Sequence, residues 1–396
     1  MGFAGGFTMG MVQAGYDLIA KCELTGGFGV TNCEKNRHLL GHGWKAHVGH
    51  EDTWPVIPAD VVFGNPPCSA WSVMTSKTSK GRDAKVSHCM WAFVKYAAKV
   101  KPQVAVFESV QQAYTNPLGL AMMRDLHRHL EELTGERWYL HHVLHNAYSV
   151  GGPAMRRRYF WVASRVPFGI ELPKLEYLPS WQDVIGDLAP LGESWQAQPY
   201  RAPAHPWTRQ LLRPDDLVDG HISIDNPLVQ RVKDLACGVE WCEGEDIAKV
   251  ARRYYETHNK LPLSFAETED RIVSRDFMMG YTTPVRWKAK DPTRVITGGS
   301  LIMVLHPWLD RMITHREAAR ALGFPDDWRI APLRGAPGLM MTWGKGITTH
   351  CGKWIGGWIS KALDGQPGSI VGKPLGERET VIDVTNHWQS FARSGR

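Results

Sequence analysis

Three groups of reactive side chains stand where apolar runs end. Asn65-Pro66-Pro67-Cys68 follows the run 59–63, so a thiol is carried on a proline-stiffened turn at the carboxyl end of a predicted strand. That is a position for a nucleophile. A lone cysteine is more often a packing residue, because free Cys is among the most buried residue types. Its surroundings reverse the balance. About forty residues on, Phe107-Glu108-Ser109-Val110 ends the next apolar run with a carboxylate able to face the same crevice. Arg156, Arg157 and Arg158 precede a further run, 159–162. Thiol, carboxyl and guanidinium groups together are the parts of covalent and acid–base catalysis.

The elements that must position them alternate in type. The runs 16–20, 59–63, 104–107 and 159–162 are apolar on both faces, which predicts buried strands of a mostly parallel sheet. Residues 88–101 and 117–133 read as helices, the first stopping before Pro102. The fold class is α/β, and such sheets bind ligands where strands end and loops begin. From 164 to about 290 the chain turns Pro-rich, Trp-rich and charged, which predicts a second, smaller domain. Helical patterning returns at 314–322, with Thr314 three residues before Glu317 as in a capping box, and at 350–363. The predicted organisation is a catalytic and cofactor-binding domain over 1–163, a target-recognition domain over 164–334, a return to the first domain over 335–365, and a mobile tail over 366–396.

Composition excludes fibres and disordered tails: 396 residues, 43% hydrophobic and 22% charged, are ordinary for globular domains. A net charge of +6 permits a polyanionic partner without demanding one. The 17 tryptophans could stack on bases, but core packing explains them as readily. Seven scattered cysteines fit a reducing compartment, and the one close pair, Cys237 and Cys242, lacks partners for zinc, so no metal is expected. No run of 18 apolar residues and no signal peptide is present, so the chain is expected in the cytoplasm of a bacterial or phage-infected cell, as a monomer and without membrane contact.

An ordered set of motifs resembles the DNA cytosine-5 methyltransferase family over most of the chain. The family's Pro-Cys-Gln-x-x-Ser is matched by Pro67-Cys68-Ser69-Ala70-Trp71-Ser72, its Glu-Asn-Val by Glu108-Ser109-Val110, and its Gln-x-Arg-x-Arg by Ala154-Met155-Arg156-Arg157-Arg158. Its ninth motif is matched by 311–320 followed by Leu322-Gly323-Phe324-Pro325-Asp326-Asp327, and Trp181 to Leu188 and His306-Pro307 are also familiar from its members. The resemblance implies a Rossmann-like, S-adenosylmethionine-dependent fold acting on double-stranded DNA. Cys68 would add to carbon 6 of a flipped-out cytosine, Glu108 would act near nitrogen 3, Arg158 would hold the 2-oxo group, and Arg156 would support the site or touch phosphate. Lys77, Lys80, Arg82 and Lys85, in the loop after Cys68, would close over the DNA backbone.

For the cofactor, the resemblance implies binding by Gly5, Gly6 and Phe7 in the first turn, by Glu23 at a strand end, and by Asn65, Pro66 and Ile347. His50, Glu51 and Asp52 compete for the adenine-binding acid. Two departures stand out. The family's first strand has no counterpart ahead of the glycine-rich turn, and the asparagine of its tenth motif is replaced by Lys345. A cation about 5 Å from a sulfonium repels it by roughly 3 kcal/mol at an effective dielectric of about 20. A carboxylate on the transferred carbon would remove that repulsion, so the cofactor is S-adenosylmethionine or carboxy-S-adenosylmethionine, the latter giving 5-carboxymethylcytosine. Two other readings stay open. Asn65-Pro66-Pro67 also resembles the Asn-Pro-Pro of amino-methyltransferases, and a DNA-binding relative with impaired catalysis would show similar motif losses.

Overall fold

The runs that precede Cys68 and Glu108 form adjacent strands. A computed structural model describes residues 4–24, 28–71, 87–188, 227–267, 285–293, 295–296, 304–309, 313, 315–329, 343–344 and 346–393. The chain divides into two compact units, Met1–Leu178 with Gly346–Arg396, and Pro179–Lys345.

In the first unit, β1 (Ala20–Glu23) pairs in parallel with β2 (Lys45–Val48) as a separate two-stranded sheet. A six-stranded sheet runs in the order β3 (Val61–Gly64), β4 (Val104–Ser109), β6 (Arg157–Ser164), β5 (Tyr139–Asn146), β10 (Glu379–Asp383), β9 (Lys373–Pro374). The ladders β3–β4 and β5–β10 are parallel; β6 and β9 run against their neighbours. All six residues of β4 are buried, as expected of a central strand apolar on both faces. The helices of this unit ahead of β5 are α1 (Gly6–Gln13), α2 (Phe28–Lys35), which packs on β1 and β2, α3 (Arg37–Leu40), α4 (His88–Val100), α5 (Gln112–Thr115) and α6 (Pro117–Thr134). In α4, Met90, Phe93, Val94 and Ala97 recur at helical spacing and are buried, and Lys101 in a left-handed conformation ends it before Pro102. In α6, Pro117 occupies the first turn, Asn116 Oδ1 accepts from Leu118 N, and left-handed Gly135 closes the end.

The second unit holds α7 (Trp181–Ile185), α8 (Pro227–Ala236), α9 (Ile247–His258), a short parallel pair β7 (Val285–Arg286) and β8 (Val304–Leu305), and α10 (His315–Ala321). The chain then returns to the first unit as α11 (Thr349–Leu363) and α12 (His387–Arg393).

Four expectations are corrected. The strand predicted at 16–20 lies at Ala20–Glu23, because Lys21 and Glu23, charged yet buried, find internal partners: Lys21 Nζ donates to Thr8 Oγ1 at 2.9 Å and Glu23 Oε2 accepts from Val30 N at 2.8 Å. Residues 366–393 do not form a mobile tail. They add β10 to the sheet beside β5 and bury Ile382 and Val384 in the core. The first unit also continues past 163, because Phe168 and Ile170 belong to its core and Ile170 bridges to Ile370. The second unit correspondingly ends at Lys345 instead of 334.

Candidate active site

Register places the first pair of site residues. Gly64 lies opposite Phe107 in the β3–β4 ladder, so the next residue on each strand brings Asn65 beside Glu108. Asn65 Nδ2 donates to Glu108 Oε2. On the other flank, β6 runs antiparallel to β4 with Phe160 opposite Glu108, and Arg158 Nε reaches to 2.8 Å from Glu108 Oε1. Burial pushes the Glu108 carboxyl above its ordinary value, against the opposite pull of Arg158, Arg156 and the Asn65 amide. A raised carboxyl pKa suits an acid that must hold a proton near neutrality.

Cys68 follows on the turn after β3, half-buried and packed against the core that includes Phe107. Trp71 N donates to the Cys68 carbonyl at 3.0 Å and closes the turn. Burial, and next the charge of Glu108, push the Cys68 thiol up; Arg158, Arg156 and a backbone hydrogen bond with Val110 oppose them. The resting sulfur is therefore a thiol, and nucleophilic attack requires its proton to leave.

Arg156 is fully buried. Its Nη2 donates to the Gly346 carbonyl at 2.5 Å, and its own carbonyl accepts from Ala147 N at 2.9 Å. Burial, reinforced by Arg158, lowers the guanidinium to about 9. Arg156 thus clamps the chain just ahead of α11 to the site. On α11, buried Cys351 feels Glu108, Arg156 and Arg158, and burial pushes its thiol up to about 12. Sequence reading missed this residue and the clamp; only the proximity of Gly346 to the tenth-motif position hinted at them.

The predicted cofactor residues divide. Gly5 adopts φ 90°, a left-handed conformation open to glycine, and starts α1. Gly6 is buried in the first turn. The Phe7 ring packs inward, 5.1 Å from Phe63 and 5.5 Å from Phe160, so its side chain serves the core. Ile347 belongs to the same core. Glu23 is a buried carboxylate at the end of β1. Beyond β2, Glu51 is the buried member of the three competing residues, with Oε1 2.8 Å from His88 Nε2 and Oε2 3.5 Å from His50 Nε2, whereas Asp52 is exposed. Ligand atoms of His50, Glu51 and His88 lie within 4.8 Å of one another, a grouping that sequence spacing could not reveal. Pro66 lines a cavity next to the site, and Asn65 serves Glu108 as well. Left-handed Gly5, the helix start and buried acids after two strands fit a ligand carrying an amino-acid carboxylate and a ribose. Lys345, Thr314, Lys77, Lys80, Arg82 and Lys85 lie outside the described residues.

In the second unit, the resemblance motifs hold each other. Arg320 donates to Asp326 at 2.6 and 2.7 Å, to Val184 O at 3.2 Å and to Asp187. Glu317 is buried 3.4 Å from His306. Ser180 and Asp183 form a reciprocal capping box that starts α7.

The family model of the C-5 cytosine-specific DNA methylases matches residues 2–361. The chain belongs to that family. It is similar to the type II methyltransferase M.DdeI of Desulfomicrobium norvegicum, 23% identical over 372 residues that cover 87% of this chain and 81% of the relative. A solved E. coli protein, described as a prophage-encoded DNA modification methyltransferase, shares the fold with a TM-score of 0.56 at 17% identity, over 91% of this chain and 98% of that one. Family membership makes this a DNA cytosine-5 methyltransferase-like enzyme that depends on S-adenosylmethionine.

Proposed function

We propose that the enzyme alkylates carbon 5 of a cytosine flipped out of duplex DNA, through a covalent adduct with Cys68. The observation that carries this reading is the buried Glu108 carboxyl, held by Asn65 and Arg158 beside Cys68. Cys68 loses its proton and its sulfur bonds to carbon 6, while Glu108 delivers a proton to ring nitrogen 3. The electron pair of the 5,6 double bond is thereby released to carbon 5. S-adenosylmethionine supplies the electrophilic carbon, with Gly5, Gly6 and Glu23 positioned to hold it. After alkylation the carbon 5 proton leaves to a base, the 5,6 double bond reforms, Cys68 departs and Glu108 regains its proton. Arg158 positions Glu108 and the ring oxygen; Arg156 positions the chain at Gly346.

Covalent trapping tests this. DNA carrying 5-fluorocytosine cannot lose the carbon 5 substituent, so a denaturation-resistant complex should accumulate with the native enzyme and be absent for Cys68→Ser. A native enzyme that turns over normally without any trapped complex contradicts the adduct and favours an amino-methyltransferase.

The group transferred is a second part of the proposal. Lys345 directly precedes Gly346, whose carbonyl Arg156 holds. The resemblance to the family's tenth motif would put Lys345 in the cofactor wall, where a cation disfavours a bare sulfonium and favours one carrying a carboxylate, and carboxymethyl transfer rests on that reading. With both cofactors offered in equal amounts, the native enzyme should form 5-carboxymethylcytosine, and Lys345→Asn should shift the product towards 5-methylcytosine. An unchanged product ratio in Lys345→Asn removes the cofactor-selecting role. The scattered spacing of the seven cysteines supports a reducing, cytoplasmic setting, and no helix among the described residues is long and apolar enough to cross a membrane.

A further inference from the structure

Two exposed imidazoles converge on one buried carboxylate. Glu51, in the loop after β2, is 4% exposed, and its Oε2 is buried without a hydrogen-bond partner among the described residues. Its Oε1 lies 2.8 Å from His88 Nε2, whereas Oε2 lies 3.5 Å from His50 Nε2. Each side chain is held from a rigid base. His88 is the first residue of α4. His50 sits on a tight turn in which Thr53 N and Oγ1 both donate to its carbonyl, at 2.9 and 2.7 Å. A hydrogen bond to Glu51 accounts for His88 alone, and it leaves His50 and the second carboxylate oxygen unexplained. A cation among the three side chains would satisfy that oxygen, which is costly to bury unpaired.

The spacing and the donor types say which cation. Ligand atoms of the three residues lie within 4.8 Å of one another. Bonds of about 2.0–2.2 Å from a tetrahedral Zn²⁺ to nitrogen and oxygen set its ligands roughly 3.3–3.5 Å apart. The separations of 2.8 and 3.5 Å bracket that spacing. Two imidazoles and a carboxylate suit zinc and its transition-metal neighbours, whereas Mg²⁺ and Ca²⁺ take oxygen ligands. The support behind His50 agrees. Its Nδ1 lies 3.3 Å from Asp52 Oδ2 and 3.4 Å from Asp52 N, and Asp52 Oδ1 is in turn 3.7 Å from Lys99 Nζ. A carboxylate behind the second ring nitrogen favours the tautomer whose Nε2 lone pair faces an ion, the usual arrangement of metal-binding histidines.

We propose that His50, Glu51 and His88 bind one divalent transition-metal ion such as Zn²⁺, with water completing its coordination. The ion joins the loop after β2 to the first residue of α4, the helix that follows the segment carrying Lys77, Lys80, Arg82 and Lys85. Its work is to fasten these two parts of the chain together. This inference is independent of the transferred group and of the Cys68 adduct.

Calorimetric titration of the chelator-stripped full chain with Zn²⁺ tests it. The native chain should hold Zn²⁺ at a site that His50→Ala and His88→Gln each weaken by at least about 100-fold, since even the partners behind a ligand are worth 10–100-fold in affinity. Both side chains are exposed, so neither change threatens the fold. His88→Gln also keeps a donor for Glu51 Oε1, which separates ligation from a plain hydrogen bond. Co²⁺ at the site should absorb weakly in the visible, without the strong thiolate charge-transfer band that binding at exposed Cys237 and Cys242 would give. Zn²⁺ should slow amide exchange at 50–53 and in the first turn of α4 by at least about tenfold, and Mg²⁺ should not. Unchanged Zn²⁺ affinity in either variant, a Co²⁺ spectrum made only of thiolate bands, or equal protection by Mg²⁺ overturns the proposal. Displacement of the ion by saturating S-adenosylhomocysteine also overturns it, since Glu51 would then belong to the cofactor.

Discussion

The chemistry rests on opposed demands at two residues. Cys68 must lose a proton that burial and Glu108 help it keep, and Glu108 must keep one that Arg158 and Arg156 help remove. Turnover should therefore rise with pH as thiolate forms and fall once Glu108 stays ionised, giving a bell-shaped profile of initial rates. Replacing Arg158 with Gln removes a charge that lowers both groups, so both limbs should move to higher pH; limbs that stay in place would remove Arg158 from this role. Cys68→Ser should lower alkylation by at least about 10³-fold with DNA affinity retained, read by single-turnover rates beside a binding titration. Cys68 and Glu108 were legible in the sequence because each follows an apolar run and belongs to a motif. The pairing of Asn65 with Glu108 was not, since it follows from strand register, which local pattern leaves undetermined.

At the scale of elements, α1 and α11 pack closely through glycines. A Cβ added at Gly10 would meet Thr349 O and lie 2.7 Å from Gly352 Cα, both backbone atoms of α11 that cannot step aside. Gly10→Val should destabilise the enzyme by about 1–3 kcal/mol, measured by denaturant unfolding; no loss would show that the helices can separate. Strand β5 carries a second signature. His145 stacks on Phe160 at 4.4 Å, and burial lowers it to about 3, so it is neutral when folded. The unfolded chain takes up that proton first as pH falls below about 6.5, so stability drops progressively between about 6.5 and 3. His145→Phe keeps the stack and should lose less melting temperature between pH 7 and 5 than the native chain; an equal loss would assign acid sensitivity elsewhere. β5 escaped the sequence reading because His141, His142 and His145 interrupt its apolar pattern, although all three are buried. Helices α4 and α6 were legible because their periodicity and terminal Pro and Gly signals agree.

At the scale of the whole molecule, residues 366–393 are structural, not an appendage. β10 pairs with β5, and Ile382 and Val384 are buried. Deleting 366–396 should cost about 3–6 kcal/mol for these two side chains alone and broaden thermal unfolding. An unchanged melting curve would return the segment to the status of a tail. The short, charged look of this region hid it, because a strand recruited from the end of a chain needs only a few apolar residues. The motifs of the second unit were legible as sequence, yet their work there, Arg320 joining Asp187, Val184 and Asp326, became visible only in the fold. The central claim is the site of alkylation, and mass spectrometry of nucleosides from DNA incubated with the enzyme and its cofactor tests it most directly. The expected result is cytosine substituted at carbon 5, as 5-carboxymethylcytosine or 5-methylcytosine, and its loss in Cys68→Ser; N4-methylcytosine, or a 5-substituted product that survives Cys68→Ser, would contradict it.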